Sequence, residues 1–246
     1  MTTPRFSVVI PCYNEADNIA SVVAEALEAT EDHAAQIIVV DDGSDDGTLD
    51  RLRGGRFGER LKAISHPRRS GKSAALRTGF RAASTLWVGT MDGDGQDNPA
   101  DLVRMSQTVA LDQVGEVGMV AGVRENRTDG GSRKTASRLA NGLRKSLLND
   151  DCPDTACGLK FMPRDLFFAM PFFDALHRYF PAFAQHLGFK VTYVSVINRP
   201  RAGGSSKYSN LGRAAAGFFD LMGVLWLMRR THVPAPELLI QADDRQ

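Results

Sequence analysis

The chain has 246 residues, 43% hydrophobic and 24% charged, which supplies a substantial core and excludes a disordered tail protein or a disulfide-stapled miniprotein. Its net charge of +1 hides a division: residues 1–123 carry 12 Lys and Arg against 18 Asp and Glu, residues 124–230 carry 17 against 8, and residues 231–246 carry 1 against 3. An acidic front and a basic back fit either charged ligands and surfaces or ordinary solvated charge, and composition alone does not separate the two.

Phe6–Ile10 and Ile37–Val40 are short β-branched runs followed at once by polar or turn residues, the pattern of buried parallel strands. Between them Ile19, Val22, Val23, Ala26 and Leu27 recur at helical spacing, so one face of that segment packs on the sheet. The alternation continues with a helix near 48–53, a strand near 61–65, a helix over 70–83, a strand over 86–91, a helix after Pro99 and a strand over 117–121. Such a series specifies an α/β fold with one doubly wound, mostly parallel sheet. After residue 124 the pattern loosens into Gly-rich loops, a helix near 133–148 and a strand near 190–197, with no repeat and no linker marking a second domain. The apolar stretch Leu211–Met228 is interrupted by Arg213 and Asp220 and is too polar for a membrane span.

Cys12, Cys152 and Cys157 form no even-numbered disulfide framework, and the spacing of the last two is not that of a zinc or redox motif, so a reducing compartment is expected. Only Arg5 precedes the first apolar run, which leaves no room for a signal peptide and places the chain in the cytosol.

In an open sheet of this kind ligands sit beyond the carboxyl ends of the strands, and the chemistry-bearing residues fall there. Asp92 and Asp94, two residues apart around Gly93, follow a strand and can approach one hard cation from a tight turn, with Gln96 adding a neutral oxygen. A solvated acidic turn uses the same residue types. Asp41 and Asp42 end another strand, where an aspartate can accept from a ribose or a base, while Ser44 or Asp45 caps the helix that follows. In the turn Pro11–Glu15, Tyr13 can stack on a base and Glu15 can accept from its edge, although Asn14 and Glu15 also suit a plain helix start. Gly71-Lys72-Ser73 resembles the end of a P-loop, but the first glycine of that motif would fall at His66, so a P-loop is excluded. Arg69, Gly71 and Lys72 remain candidates for donor phosphates or for closing their helix onto the pocket.

Taken together, 8–15 (VVIPCYNE), 38–44 (IVVDDGS), 70–79 (SGKSAALRTG) and 91–96 (MDGDGQ) resemble family 2 glycosyltransferases, and within them the dolichyl-phosphate and polyprenyl-phosphate sugar synthases. The four motifs in this order are specific over the first hundred residues, and the likeness continues more loosely to about 230. The resemblance implies a GT-A fold over 1–230, with a nucleotide-sugar and metal half (1–123), an acceptor half (124–210), an amphipathic interfacial helix (211–230) and a tail (231–246). It assigns Pro11, Tyr13, Glu15, Asp42, Lys72, Asp92, Arg124 and Arg138 to the nucleotide sugar, and Asp92, Asp94 and Gln96 to Mg²⁺ or Mn²⁺. Asp92, Asp94 and Arg124 are the implied catalytic residues, with Arg199, Arg201, Ser205 and Lys207 at the lipid phosphate. The 199–208 stretch also reads as a basic surface loop, and His177 either approaches the sugar pocket or is a core or surface histidine, the second being favoured over a catalytic role. Cys157, in the Asp154–Gly158 turn, stands where relatives often carry Thr or Ser, which unsettles the local acceptor contacts.

The implied reaction is an inverting transfer from a nucleoside diphosphate sugar, with uridine and guanosine donors both compatible, to a polyprenyl phosphate at the cytoplasmic face of the inner membrane. Many bacterial relatives carry two membrane spans after the catalytic region; with this sequence ending at Gln246, attachment is expected to be peripheral or shared with a membrane-embedded partner protein. A helix with Phe218, Leu221, Met222, Leu225 and Trp226 on neighbouring faces and arginines at its ends suits an anionic lipid interface, or an ordinary core face. No nucleic-acid partner is expected. Three other readings of the same residues are a transferase acting on a hydroxyl acceptor, a nucleotidyltransferase and a non-catalytic sugar-nucleotide sensor. The nucleotidyltransferase is disfavoured because the first turn carries Pro-Cys-Tyr-Asn-Glu where a Gly-rich phosphate loop would stand.

Overall fold

The computed structural model describes residues 6–33, 36–111, 114–125, 144–145, 147–148, 150–200 and 210–231, with side chains in the last segment from 217 onward. Strands β1 (Phe6–Cys12), β2 (Gln36–Asp41), β3 (Leu61–Ser65), β4 (Trp87–Thr90), β5 (Val117–Glu125), β6 (Lys160–Pro163) and β7 (Lys190–Ile197) form one sheet in the order β3-β2-β1-β4-β6-β5-β7. Every pairing is parallel except those of β6, which runs antiparallel to both β4 and β5. The helices are α1 (Ile19–Ala29), α2 (Thr48–Gly54), α3 (Lys72–Ala82), α4 (Pro99–Ser106), α5 (Arg164–Ala169), α6 (Phe180–His186) and α7 (Asn210–Arg230), with 3-10 turns at Glu31–His33 and Leu176–Arg178.

Side-chain alternation along β1 shows why the sheet needs cover on both faces. Phe6, Val8, Ile10 and Cys12 join one core with Ile19, Val22, Val23 and Ala26 of α1 and Leu102 of α4, whereas Val9 joins the other with Leu76 and Phe80 of α3. All are buried, and each large apolar side chain removed from water contributes roughly 1.5–3 kcal/mol before entropy is counted. The expected strands at 61–65 and 190–197 have the bounds read from the sequence, and the others shift by a few residues.

Helices α5 and α6 were not expected, and three further features depart from the sequence pattern. The strand β6 was missing from the reading, because four residues that include a lysine and a proline lack a β-branched run; its position is set by pairing with its neighbours. Helix α2 is not capped by Ser44 or Asp45. Gly47 stands before it, Asp46 accepts from the Thr48 amide at 2.9 Å, and Ser44 instead bonds Asp41. In α7, Leu221 turns into the core with Val224, while Phe218, Phe219, Met222 and Trp226 are exposed, so the outward apolar face is offset from the expected one. Within the expected helix near 133–148, residues 144–145 and 147–148 are helical and the rest lies outside the described residues.

The strand order turns at β1: β2 and β3 lie on one side of it and β4 on the other. The crevice between the carboxyl ends of β1 and β4 is therefore the switch point of the sheet, where loops diverge and leave room for a ligand.

Candidate active site

Two loops flank that crevice. Pro11 and Cys12 end β1, and Asp92–Gln96 follow β4; a Cβ placed on Gly93 would lie 3.0 Å from the Cys12 side chain and 3.4 Å from the Pro11 carbonyl. Beyond Pro11, Asn14 takes a positive φ of 55° and exchanges two hydrogen bonds with Asp45, its side-chain amide donating to the carboxylate at 2.8 Å and its oxygen accepting from the Asp45 amide at 3.1 Å. The Asn14 amide also donates to the Ser44 hydroxyl, and the Glu15 amide to that of Thr48. The loops after β1 and β2 are thereby tied into one wall. Tyr13 stands in that wall with the Arg69 guanidinium 4.3 Å above its ring, and the Glu15 carboxylate accepts from Asn18.

Asp42 is buried. Its Oδ1 accepts from His66 Nδ1 at 2.8 Å and from the Ser70 amide at 2.9 Å, and its Oδ2 accepts from the Gly71 amide at 2.7 Å. A carboxylate offers about four acceptor sites, so three internal bonds leave little for a nucleoside. The structure makes Asp42 the anchor of the 66–71 loop, where the sequence had pointed to the nucleoside. His66 completes the anchor by bonding Thr78 through its other nitrogen at 2.9 Å. Gly71 sits at φ +93°, a conformation open to glycine, and starts α3 so that Lys72 points across to β4.

There Lys72 pairs with Asp92, each side chain about a third exposed (33% and 34%). Burial works against ionising Asp92, but the charge and hydrogen bond of Lys72 outweigh it and hold the carboxyl below its usual range; the same bond raises Lys72. The Asp92 amide donates to buried Asp97 at 2.8 Å, and desolvation together with the Asp92 charge pushes Asp97 up to about 7. Gly158 closes the back of the pair: a Cβ there would meet Asp97 Oδ2 at 2.6 Å and Asp92 Cγ at 2.7 Å. Asp94 accepts from the Gln96 amide at 3.2 Å and is partly exposed.

Of the supporting residues, sequence reasoning singled out His177 alone and missed Asp97, Gly158 and Lys160. Asp97 and Lys160 act on Asp92 by charge, Gly158 packs behind it and His177 stands near it as a neutral ring; the one local signal was a second acid directly after Gln96. Lys160 is buried and donates to the Cys157 carbonyl at 2.8 Å. His177 bonds the Ser73 hydroxyl at 3.0 Å, and desolvation with the nearby Lys72 charge pushes it down to about 3, so its ring is neutral.

Two proposed phosphate-binding arginines are engaged within the protein. Arg124 donates through Nε and Nη2 to Asp154 at 2.7 and 3.0 Å, so a phosphate would have to share or displace that partner. Arg199 forms an ion pair at 2.7 Å with Glu25 of α1. Its backbone is zipped to Gln96: the Arg199 amide donates to the Gln96 carbonyl at 3.0 Å, and Gln96 Nε2 donates to the Arg199 carbonyl at 3.1 Å. Gln96 thus fastens the acidic loop to the end of β7, a role the sequence had not indicated. Arg138, Arg201, Ser205 and Lys207 lie outside the described residues.

Comparison with known proteins places this geometry. Solved structures of glucosyl-3-phosphoglycerate synthase from Mycobacterium tuberculosis, with Mn²⁺, UDP and glucosyl-3-phosphoglycerate or with Mg²⁺ and UDP, share the fold. The first superposes with a TM-score of 0.68 at 21% identity over 91% of this chain and 79% of that one. The fold is the GT-A fold. Dodecaprenyl-phosphate galacturonate synthase of Rhizobium johnstonii is 30% identical over 92% of this chain and 68% of its own length. Undecaprenyl-phosphate 4-deoxy-4-formamido-L-arabinose transferases of Sodalis glossinidius and Edwardsiella ictaluri are 31% and 32% identical over 85% and 82% of this chain, which spans 65% and 62% of their lengths. Residues 7–168, which hold both loops of the crevice and the Gly158 that backs them, match the glycosyl transferase family 2 domain, and the chain belongs to that family.

Proposed function

We propose that this family 2 glycosyltransferase moves a sugar from a nucleoside diphosphate sugar to a polyprenyl phosphate, with inversion, at the cytoplasmic face of a membrane. The observation that carries the reading is the placement of Asp92 and Asp94 at the end of β4, across the switch point from Pro11–Glu15. The relatives named for polyprenyl-phosphate sugars support the acceptor.

The donor set suits Mg²⁺ or Mn²⁺. Asp92, Asp94 and Gln96 offer hard oxygens and are partly exposed. Among the described residues no three His, Cys, Asp or Glu side chains form a complete cage, so donor phosphates would fill the remaining positions. Such an ion supplies Lewis-acid stabilisation of the departing diphosphate. The chain does the rest. Tyr13, braced by Arg69, and Glu15 hold the nucleoside, while Lys72, Arg124 and Arg138 supply positive charge to the diphosphate. Arg201, Ser205 and Lys207 position the acceptor phosphate, with Arg199 fixing the root of their segment on Gln96 and Glu25. An acceptor oxygen attacks the anomeric carbon while the bond to the diphosphate oxygen breaks and its electron pair leaves with the nucleoside diphosphate. The attacking phosphate is already anionic at neutral pH, so no general base is needed.

No helix among the described residues is long and apolar enough to cross a membrane. The exposed Phe218, Phe219, Met222 and Trp226 of α7, with Arg229 and Arg230 at its end, fit a peripheral attachment to an anionic leaflet.

The test is to incubate the protein with Mn²⁺, undecaprenyl phosphate and a panel of UDP- and GDP-sugars and to read the lipid fraction by mass spectrometry. One donor is expected to yield a glycosylated lipid phosphate. Turnover on a hydroxyl acceptor with no glycolipid from any donor would overturn the lipid-phosphate reading.

A further inference from the structure

Lys72 occupies the position on Asp92 that a divalent cation would claim. Its ammonium lies on Asp92 Oδ1, and its backbone is set independently, because the amide just before it, that of Gly71, is held by Asp42 at 2.7 Å. Asp92 is confined on the side away from Lys72 and solvent. Its amide is bonded to Asp97, and Gly158 packs so closely that one added carbon would lie 2.7 Å from the carboxyl carbon. The other cation that lowers Asp92, Lys160, is committed to the Cys157 carbonyl, and His177 is committed to Ser73. A divalent ion approaching Asp92 therefore meets a fixed carboxylate that already carries a positive partner on a long, flexible stem.

We infer that Lys72 is a built-in placeholder for the divalent cation, and that its release from Asp92 makes cation binding and diphosphate binding depend on each other. The inference rests on the reading of this crevice as a metal-assisted nucleoside diphosphate site. Without the diphosphate, an ion at Asp92 must expel the ammonium against the attraction of Asp92, Asp97 and Asp94 together. With the diphosphate present, the released ammonium would have phosphate oxygens to turn onto, while Asp92 and Asp94 would hold the ion. Each ligand then tightens the other by an equal factor, as linkage requires.

The test uses the full chain and measures Mn²⁺ binding by the loss of the free-ion electron paramagnetic resonance signal, with and without UDP or GDP. Wild type is expected to bind Mn²⁺ weakly alone and at least tenfold more tightly with the matching diphosphate. Lys72→Met is expected to bind Mn²⁺ alone about tenfold more tightly than wild type and to gain less than threefold from the diphosphate. Lys72→Gln, which keeps a polar contact to Asp92, should behave in the same way, and Lys72→Arg should retain the weak binding of wild type. Equal Mn²⁺ affinity and equal coupling in wild type and both neutral variants would overturn the placeholder while leaving the metal site standing. Failure of every protein to bind Mn²⁺ with either diphosphate would overturn the metal reading and the placeholder with it.

Discussion

His177 is neutral beside Lys72, and this gives it an acid-sensitive share in stability. Its folded pKa of about 3 lies below the unfolded value near 6.5, so between those values the unfolded chain binds a proton that the folded one refuses. Its contribution is complete above about pH 6.5 and is lost as pH falls toward 3. Replacing His177 with Gln is expected to flatten the fall in unfolding free energy between pH 6.5 and 4, by an amount on the order of 1–2 kcal/mol, read by urea unfolding across pH. Gly158 makes a second residue-level case. Gly158→Ala must push Asp92 or Asp97 aside, at about 1–3 kcal/mol. Transfer activity should fall at least tenfold in the assay with Mn²⁺ and undecaprenyl phosphate. The sequence displayed Asp92 and Asp94 because acids at a strand end stand out, but it could not display their neighbours. Gly158, Lys160 and His177 reach Asp92 through tertiary packing, and nothing in their local spacing records that approach.

At the level of elements, the 66–71 loop depends on one buried carboxylate. Asp42→Ala removes three acceptor contacts and leaves the Ser70 and Gly71 amides without their partner. A loss of about 2–4 kcal/mol is expected by urea unfolding, together with faster hydrogen exchange at those two amides. The strands β1, β2 and β7 were legible because β-branched runs carry their own signal, and β3 because of its place in the strand–helix alternation. Helices α5 and α6, six and seven residues long, were not, since helices this short are stabilised by packing rather than by a repeating pattern; α2, equally short, was read because the Asp-Gly-Ser turn residues before it mark a helix start. The loops were legible as places where chemistry belongs, but their hydrogen bonding was not: Asp42 and Asp46 turned out to secure backbone amides, which a list of polar residues does not distinguish from ligand contacts.

Across the whole molecule, the charge division now has partial coordinates. Asp92 and Asp94 of the acidic front border the crevice, while Arg124 and Arg199 of the basic back are paired with Asp154 and Glu25. Membrane attachment is expected to reside in the outer face of α7. Changing Phe218, Phe219 and Trp226 together to Ser should weaken sedimentation with phosphatidylglycerol vesicles at least tenfold, with little change in melting temperature because these side chains are exposed at 55%, 73% and 59%. Equal sedimentation of the variant and wild type would place the lipid contact elsewhere.

The antiparallel strand β6 also governs the order in which the protein can be made. It enters the sheet between β4 and β5, so the edge of β4 at Trp87–Thr90 waits some seventy residues for its partner at Lys160–Pro163. During synthesis the quartet from β3 to β4 can assemble first, leaving Trp87 without the stacked Phe161 that lies 5.3 Å away in the finished fold. A nascent chain paused near residue 150 therefore presents an unpaired apolar edge, the kind of template on which strands of neighbouring chains assemble. A fragment ending there is expected to precipitate, and the full chain, in which β6 covers β4 and β7 covers β5, to stay in solution.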